Sequence, residues 1–261
     1  MIAVATLELA LLLVAVIILA GTINGLAGFG FAIVGTTTLA TVVDPATAVI
    51  FMIVPILFVN LSLVTELSRD DIRHCGQRFT PLLVTATLGA LLGMVVLDAV
   101  PAEPLRVLLG LVALGFVATS QHIVSIPTLS QTRDRCFVET PLAMSGIGLI
   151  GGFLFGATNV GVHLVAYVRS FDLSHAVFVG VVAMVFVGLN GIRVLVAFAL
   201  GLYGDPTVAL SSVGAVLPAI VGVEVGRRVR HRVTERYRRW FVLGLLTIIG
   251  LRLVLGGLHI V

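Results

Sequence analysis

The chain has 261 residues, 59% hydrophobic and 11% charged, with a mean hydropathy of +1.17. That composition excludes a soluble globular enzyme and indicates an integral membrane protein with little mass outside the lipid. The formal net charge is +3, but the basic residues, all arginine, gather mostly at segment ends as membrane topology requires, so the charge does not indicate nucleic-acid binding.

No Lys or Arg precedes the first apolar run, so the N-terminal segment reads as part of the mature fold and not as a cleaved signal. That stretch, 7–43, is too long for one crossing, which needs about 20 residues. Small and polar residues interrupt it at Gly21-Thr22-Ile23-Asn24-Gly25-Leu26-Ala27-Gly28-Phe29-Gly30-Phe31. Three simple spans follow, at 46–67, 79–97 and 104–121, and then a linker at 122–139. The segment 140–168 is too short for two full crossings and carries a second interruption, Gly151-Gly152-Phe153-Leu154-Phe155-Gly156-Ala157-Thr158-Asn159-Val160-Gly161. Spans at 174–200, 207–225 and 240–258 complete the chain.

A shift of about 128 residues places Gly28 on Gly156, Asp44 on Asp172 and Ala48 on Ala176, which suggests an internal repeat. The arginines set its orientation. The loop 68–78 carries Arg69, Arg73 and Arg78, whereas its counterpart 201–206 has none. The loop 98–103 has none, whereas 226–239 carries seven. A reversed bias means inverted halves. The expected fold is therefore an all-α polytopic membrane protein of two inverted-topology repeats, 1–121 and 140–261. Each repeat has a broken or re-entrant helical hairpin (7–43, 140–168) and three transmembrane helices. The loops 68–78, 122–135 and 226–239 are placed in the cytoplasm of a bacterial-type inner membrane.

In each hairpin a second leg is expected to begin near the bilayer midplane, around Gly30 and around Asn159. The first turn of a helix has unpaired N–H groups and a partial positive charge, so an anion shared by the two starts would satisfy them. Asn24, Thr158 and Asn159 add side-chain groups. For Gly21, Gly25, Gly89, Gly93, Gly222 and Gly226, close helix packing is the stronger reading. Arg193, one turn past Asn190, either grips an anion with two parallel hydrogen bonds or extends outward to water. His163 either relays a proton or packs. Asp44 and Asp172 read as N-caps. The two cysteines, Cys75 and Cys136, fall in loops, and no metal or nucleophile pattern occurs. No cofactor is expected. With no acidic residue at mid-depth, a cation site is disfavoured.

Ala27-Gly28-Phe29-Gly30-Phe31 and Gly156-Ala157-Thr158-Asn159-Val160-Gly161-Val162-His163, with Phe171-Asp172-Leu173, resemble the two signature hairpins of the TauE/SafE sulfite exporter family. The stretch Phe186 to Arg193 resembles the helix that follows the second signature. The resemblance implies a permease for small anions such as sulfite, sulfonates or carboxylates. It places Gly28, Phe29, Gly30, Thr158, Asn159 and Gly161 at signature positions. The expected substrate site joins these to Asn24, Gly25, His163, Asn190 and Arg193. The expected partners are the anion and the bilayer, with a homodimer left open. An anion channel on the same hairpins, or a non-catalytic subunit of a larger complex, is the alternative.

Overall fold

The computed structural model describes residues 2–27, 30–64, 79–122, 141–169 and 175–259. Among these the structure is helical: α1 (Ile2–Ala27), α2 (Phe31–Leu39), α3 (Pro45–Val64), α4 (Thr80–Ala99), α5 (Ala102–His122), α6 (Pro141–Thr158), α7 (Val162–Arg169), α8 (His175–Ala199), α9 (Pro206–Gly214), α10 (Val216–Val229), a 3-10 turn (Arg230–Arg232) and α11 (Glu235–Gly257). Among the described residues, six stretches are long and apolar enough to cross a membrane: Pro45–Val64, Thr80–Leu97, Ala102–Ser120, Val177–Ala199, Pro206–Val229 and Arg236–Gly257. They match the six simple spans read from the sequence. The loop at 68–78, nearly all of the linker, and Asp172, Cys75 and Cys136 lie outside the described residues.

The chain divides into two compact units. One holds Met1–Val59, Ala102–Leu114 and Tyr203–Val261; the other holds Asn60–Pro101 and Gly115–Leu202. The units do not follow the sequence halves. In the first unit, α1 packs in parallel on α10, which comes from the far end of the chain. Ile18 meets Gly222 and Thr22 meets Gly226, and a Cβ on Gly226 would stand 2.2 Å from the Thr22 carbonyl oxygen. In the second unit, α4 and α6 pack the same way. Gly152 lies against Ala86 and Gly156 against Ala90, and a Cβ on Gly93 would stand 2.2 Å from the Phe153 carbonyl oxygen. Only glycine lets two backbones approach this closely, and in lipid such contact is a main source of helix association. The six glycines assigned to packing are used that way.

Both interruptions are real helix breaks, but their geometry differs from the expectation. The legs are unequal. α1 has 26 residues, about 39 Å at 1.5 Å per residue, which is enough to cross alone, and α2 has nine. α6 has 18 residues and α7 has eight. The breaks therefore fall toward the far end of a long first leg and not at the middle of each segment. They are 131 residues apart, from Ala27 to Thr158 and from Phe31 to Val162.

Two further corrections concern the last third of the chain. The arginine-rich stretch 226–239, read as a loop, is mostly helix: α10 runs to Val229, the 3-10 turn follows, and α11 starts at Glu235, not at 240. The span read as 207–225 is interrupted at Ala215. Pro218 explains the interruption, because it has no N–H to offer the Gly214 carbonyl four residues back. Pro55 does the same inside α3 and deprives the Phe51 carbonyl of its helical donor. The Ser212 hydroxyl of α9 donates to that carbonyl at 2.5 Å. Asp44 caps α3, accepting from the Thr47 N–H at 3.0 Å, as its position before an apolar run suggested.

Candidate functional site

The second break is built around a cation. Arg193 sits on α8 and is fully buried. Its Nη1 donates to Asn159 Oδ1 at 2.8 Å and to Asn190 Oδ1 at 3.1 Å, and its Nη2 donates to the Gly156 carbonyl at 3.0 Å. The last carbonyls of a helix lack intrahelical partners and carry partial negative charge, so the guanidinium closes the C-terminal end of α6. The Phe155 ring lies under it, 4.9 Å from Cζ to centroid, and stacks on Phe186 at 4.9 Å. The ring face adds a cation–π attraction of about 0.5–2 kcal/mol. Gly161 makes room for the stack, since a Cβ there would meet the Phe186 ring at 2.3 Å.

The turn between α6 and α7 is tight and fully buried. Asn159 takes φ 59°, a left-handed conformation that Asn tolerates better than most residues. Thr158 donates its hydroxyl to the Leu154 carbonyl at 2.6 Å and accepts from the Val160 N–H at 3.2 Å. Asn190 fixes its amide by donating to the Phe186 carbonyl at 2.9 Å. Arg193, Asn159 and Asn190 thus form one network that ties the break to α8. None of α6, α7 or α8 contains an Asp or Glu. The break is near α8's second half: Arg193 lies six residues before that helix ends, about 9 Å along its axis.

The first break uses different parts. Gly30 has φ 108°, which requires glycine. The buried Asn24 reaches across from α1, and its Oδ1 accepts the first N–H of α2, from Phe31, at 3.3 Å. The Arg238 guanidinium of α11 donates through Nη1 to the Leu26 carbonyl at the end of α1. Arg238 is in the first turn of α11, so this break is level with the start of that span.

A family model described as Sulfite exporter TauE/SafE matches residues 13–253, nearly the whole chain. The chain belongs to the TauE/SafE family. Members are transporters and not enzymes, and among the described residues no group of His, Cys, Asp or Glu is arranged to hold a metal. This TauE/SafE chain is therefore an integral membrane protein with several transmembrane helices, an architecture consistent with transport. Neither a curated protein nor a solved structure matches it.

In this TauE/SafE protein the structure gathers Thr158, Asn159, Gly161, Asn190 and Arg193 of the expected site, together with Gly156 and Phe155. Asn24 and Gly30 stand together at the first break. Gly25 packs backbone to backbone on α10, where a Cβ would stand 2.2 Å from the Val223 carbonyl oxygen. His163 is exposed, although it lies one turn before the buried Tyr167 on α7, and makes no part of the Arg193 network. Gly28 and Phe29 lie outside the described residues. Of the two roles weighed for Arg193, the outward reach to water is overturned by its complete burial. Sequence reasoning missed Phe155 and Phe186, which look like ordinary apolar residues, and Arg238, which was hidden in a run of arginines explained by topology. It also assigned the free N–H groups at the second legs wholly to an anion. Asn24 takes part of that task at the first break, and Thr158 accepts the Val160 N–H in the turn before the second leg.

Proposed function

We propose that this protein carries a small anion across the membrane by alternating access, with the second break as its binding station. Sulfite, a sulfonate or a related organosulfur or carboxylate anion is the substrate class. The observation that carries this reading is a fully buried arginine fastened to the turn between two short-circuited helices. Burying a charge in an apolar setting is costly, and an ionisable group at membrane depth marks a substrate or ion pathway by default. Asn159, Asn190 and the Gly156 carbonyl solvate the guanidinium as neutral dipoles. They lower the cost but leave a positive potential where α7 begins. The start of α7 adds its own partial positive charge. A tetrahedral or planar oxyanion complements both.

The directions of the helices support the proposed orientation. With 226–239 and 68–78 in the cytoplasm, α4 and α6 both run outward and α1 and α10 both run inward. The parallel packing of each pair agrees with that. The inverted repeat is proposed on the same grounds, supported by a common break spacing of 131 residues.

The test is sulfite flux into liposomes holding the purified protein. Saturable flux accelerated by sulfite on the opposite side supports a carrier, and large single-channel currents identify a pore instead. Arg193→Gln is expected to reduce flux at least tenfold, equivalent to about 1.4 kcal/mol or more. Arg193→Lys is expected to recover little of it, because one ammonium does not reproduce the planar fork that serves Asn159, Asn190 and Gly156 together. Wild-type flux in both variants refutes the assignment.

A further inference from the structure

We propose that Arg238 is a positioning residue for the first break, a second arginine clasp independent of Arg193. Three observations lead there. Its Nη1 donates to the carbonyl of Leu26, in the last turn of α1, where helical partners run out and the negative end of the helix lies. Its Nε is buried without a hydrogen-bond partner, so the Leu26 contact is what compensates the desolvated side chain. The neighbouring Arg236 and Tyr237 are exposed, whereas Arg238 is half-buried and reaches the end of α1.

The two clasps are alike in task and unlike in origin. Arg193 sits on α8, the helix that directly follows the second hairpin, and reaches the Gly156 carbonyl. The helix that directly follows the first hairpin, α3, has no charged residue at all. The first break borrows its cation from the last helix of the chain instead. Arg193 also binds two asparagines with a fork of donors, whereas the Arg238 contact is a single donor to a single carbonyl. That difference predicts opposite responses to lysine. A lysine at 238 can supply one donor and keep the break closed, and a lysine at 193 cannot replace a fork.

Arg238 touches no proposed anion contact. Its part is to hold the end of α1 while Asn24 holds the start of α2, so that the two legs keep their places on either side of the break. Loss of the clasp loosens the hairpin and slows its rearrangement into the carrying geometry without changing the anion's own contacts. The transport arm of the test rests on the anion-carrier reading; the exchange arm does not.

The experiment compares full-length wild type with Arg238→Gln, Arg238→Lys and the exposed control Arg236→Gln. Amide exchange is followed across α2, residues 31–36, and sulfite flux is measured in liposomes. Arg238→Gln is expected to raise exchange at least tenfold and to lower Vmax at least fivefold with KM within twofold. Arg238→Lys and Arg236→Gln are expected to behave like wild type. The proposal is overturned if Arg238→Gln exchanges like wild type, or if Arg236→Gln loosens α2 equally. If wild type carries no sulfite, the carrier reading fails while the exchange comparison still decides the role of Arg238. If Arg238→Gln does not fold, Arg238→Lys decides: wild-type exchange supports the single-donor clasp, and raised exchange overturns it.

Discussion

Asn159 does two jobs that substitution can separate. It holds a left-handed backbone, and its side chain receives Arg193. Asn159→Gly keeps the first job and loses the second, whereas Asn159→Ala loses both. Left-handed alanine costs about 1–2 kcal/mol, so Asn159→Ala is expected to unfold at lower denaturant than Asn159→Gly, with anion binding impaired in both. Equal stability of the two would show that the turn is not strained. Ser212 is a second test at this scale. It occupies the carbonyl that Pro55 leaves open, and a buried acceptor without a partner costs about 1–3 kcal/mol. Ser212→Ala is expected to lower stability by that amount, and restoring the helical donor with Pro55→Ala is expected to recover much of it. Asp205 caps α9 through the Thr207 N–H, which holds its carboxyl below the ordinary aspartate range. That contribution is complete above the unfolded-state value and fades as pH falls through the lower folded value. The group is exposed, so the effect on stability is small.

At the level of elements, the glycine code proved easier to read than the hairpin geometry. Close approach of Gly21, Gly25, Gly89, Gly93, Gly222 and Gly226 was visible because small residues at four-residue spacing have one dominant use in lipid. The partners were not visible, since α1 on α10 and α4 on α6 are long-range pairings that spacing does not encode. Where a backbone oxygen stands at 2.2 Å from the missing Cβ, the helices must part. Gly93→Ala is expected to cost about 1–3 kcal/mol in a denaturation series. Gly244→Ala, with open space around it, is expected to be neutral or to stabilise by up to about 1 kcal/mol. Equal effects at both positions would remove packing as the reason for the glycines. The second legs start at Phe31 and Val162, close to the expected Gly30 and Asn159, but the unequal lengths of the legs were not legible, for a physical reason. Composition marks where a helix is weak, but the length of the ordered leg depends on the neighbour it packs against. α1 stays helical to Ala27 along its α10 contact, and the short second legs follow from where that contact ends. Arg193 was legible as unusual because a charge in an apolar span is rare. Its partners were not, since Asn159 lies 34 residues away and the Gly156 carbonyl belongs to no side-chain pattern.

For the whole molecule, six apolar spans follow from hydropathy alone, and the described residues hold six helices long and apolar enough to cross a membrane. The proposed orientation predicts opposite exposure of two turns. A cysteine at Arg232 is expected to react with a membrane-impermeant thiol reagent only from the cytoplasmic side, and one at Pro101 only from the opposite side. Labelling of both from one side would break the inverted arrangement. The central claim is that the Arg193 clasp at the second break is where an anion binds. It is tested most directly by thermal unfolding of the purified wild type, Arg193→Gln and Asn159→Ala with sulfite, sulfate, sulfoacetate, taurine, acetate and phosphate, because a ligand that prefers the folded state raises its midpoint. The account predicts that at least one of these anions raises the wild-type midpoint in a concentration-dependent way, and that both variants, folded, lose the response. Folded variants that respond to that anion as strongly as wild type would contradict it.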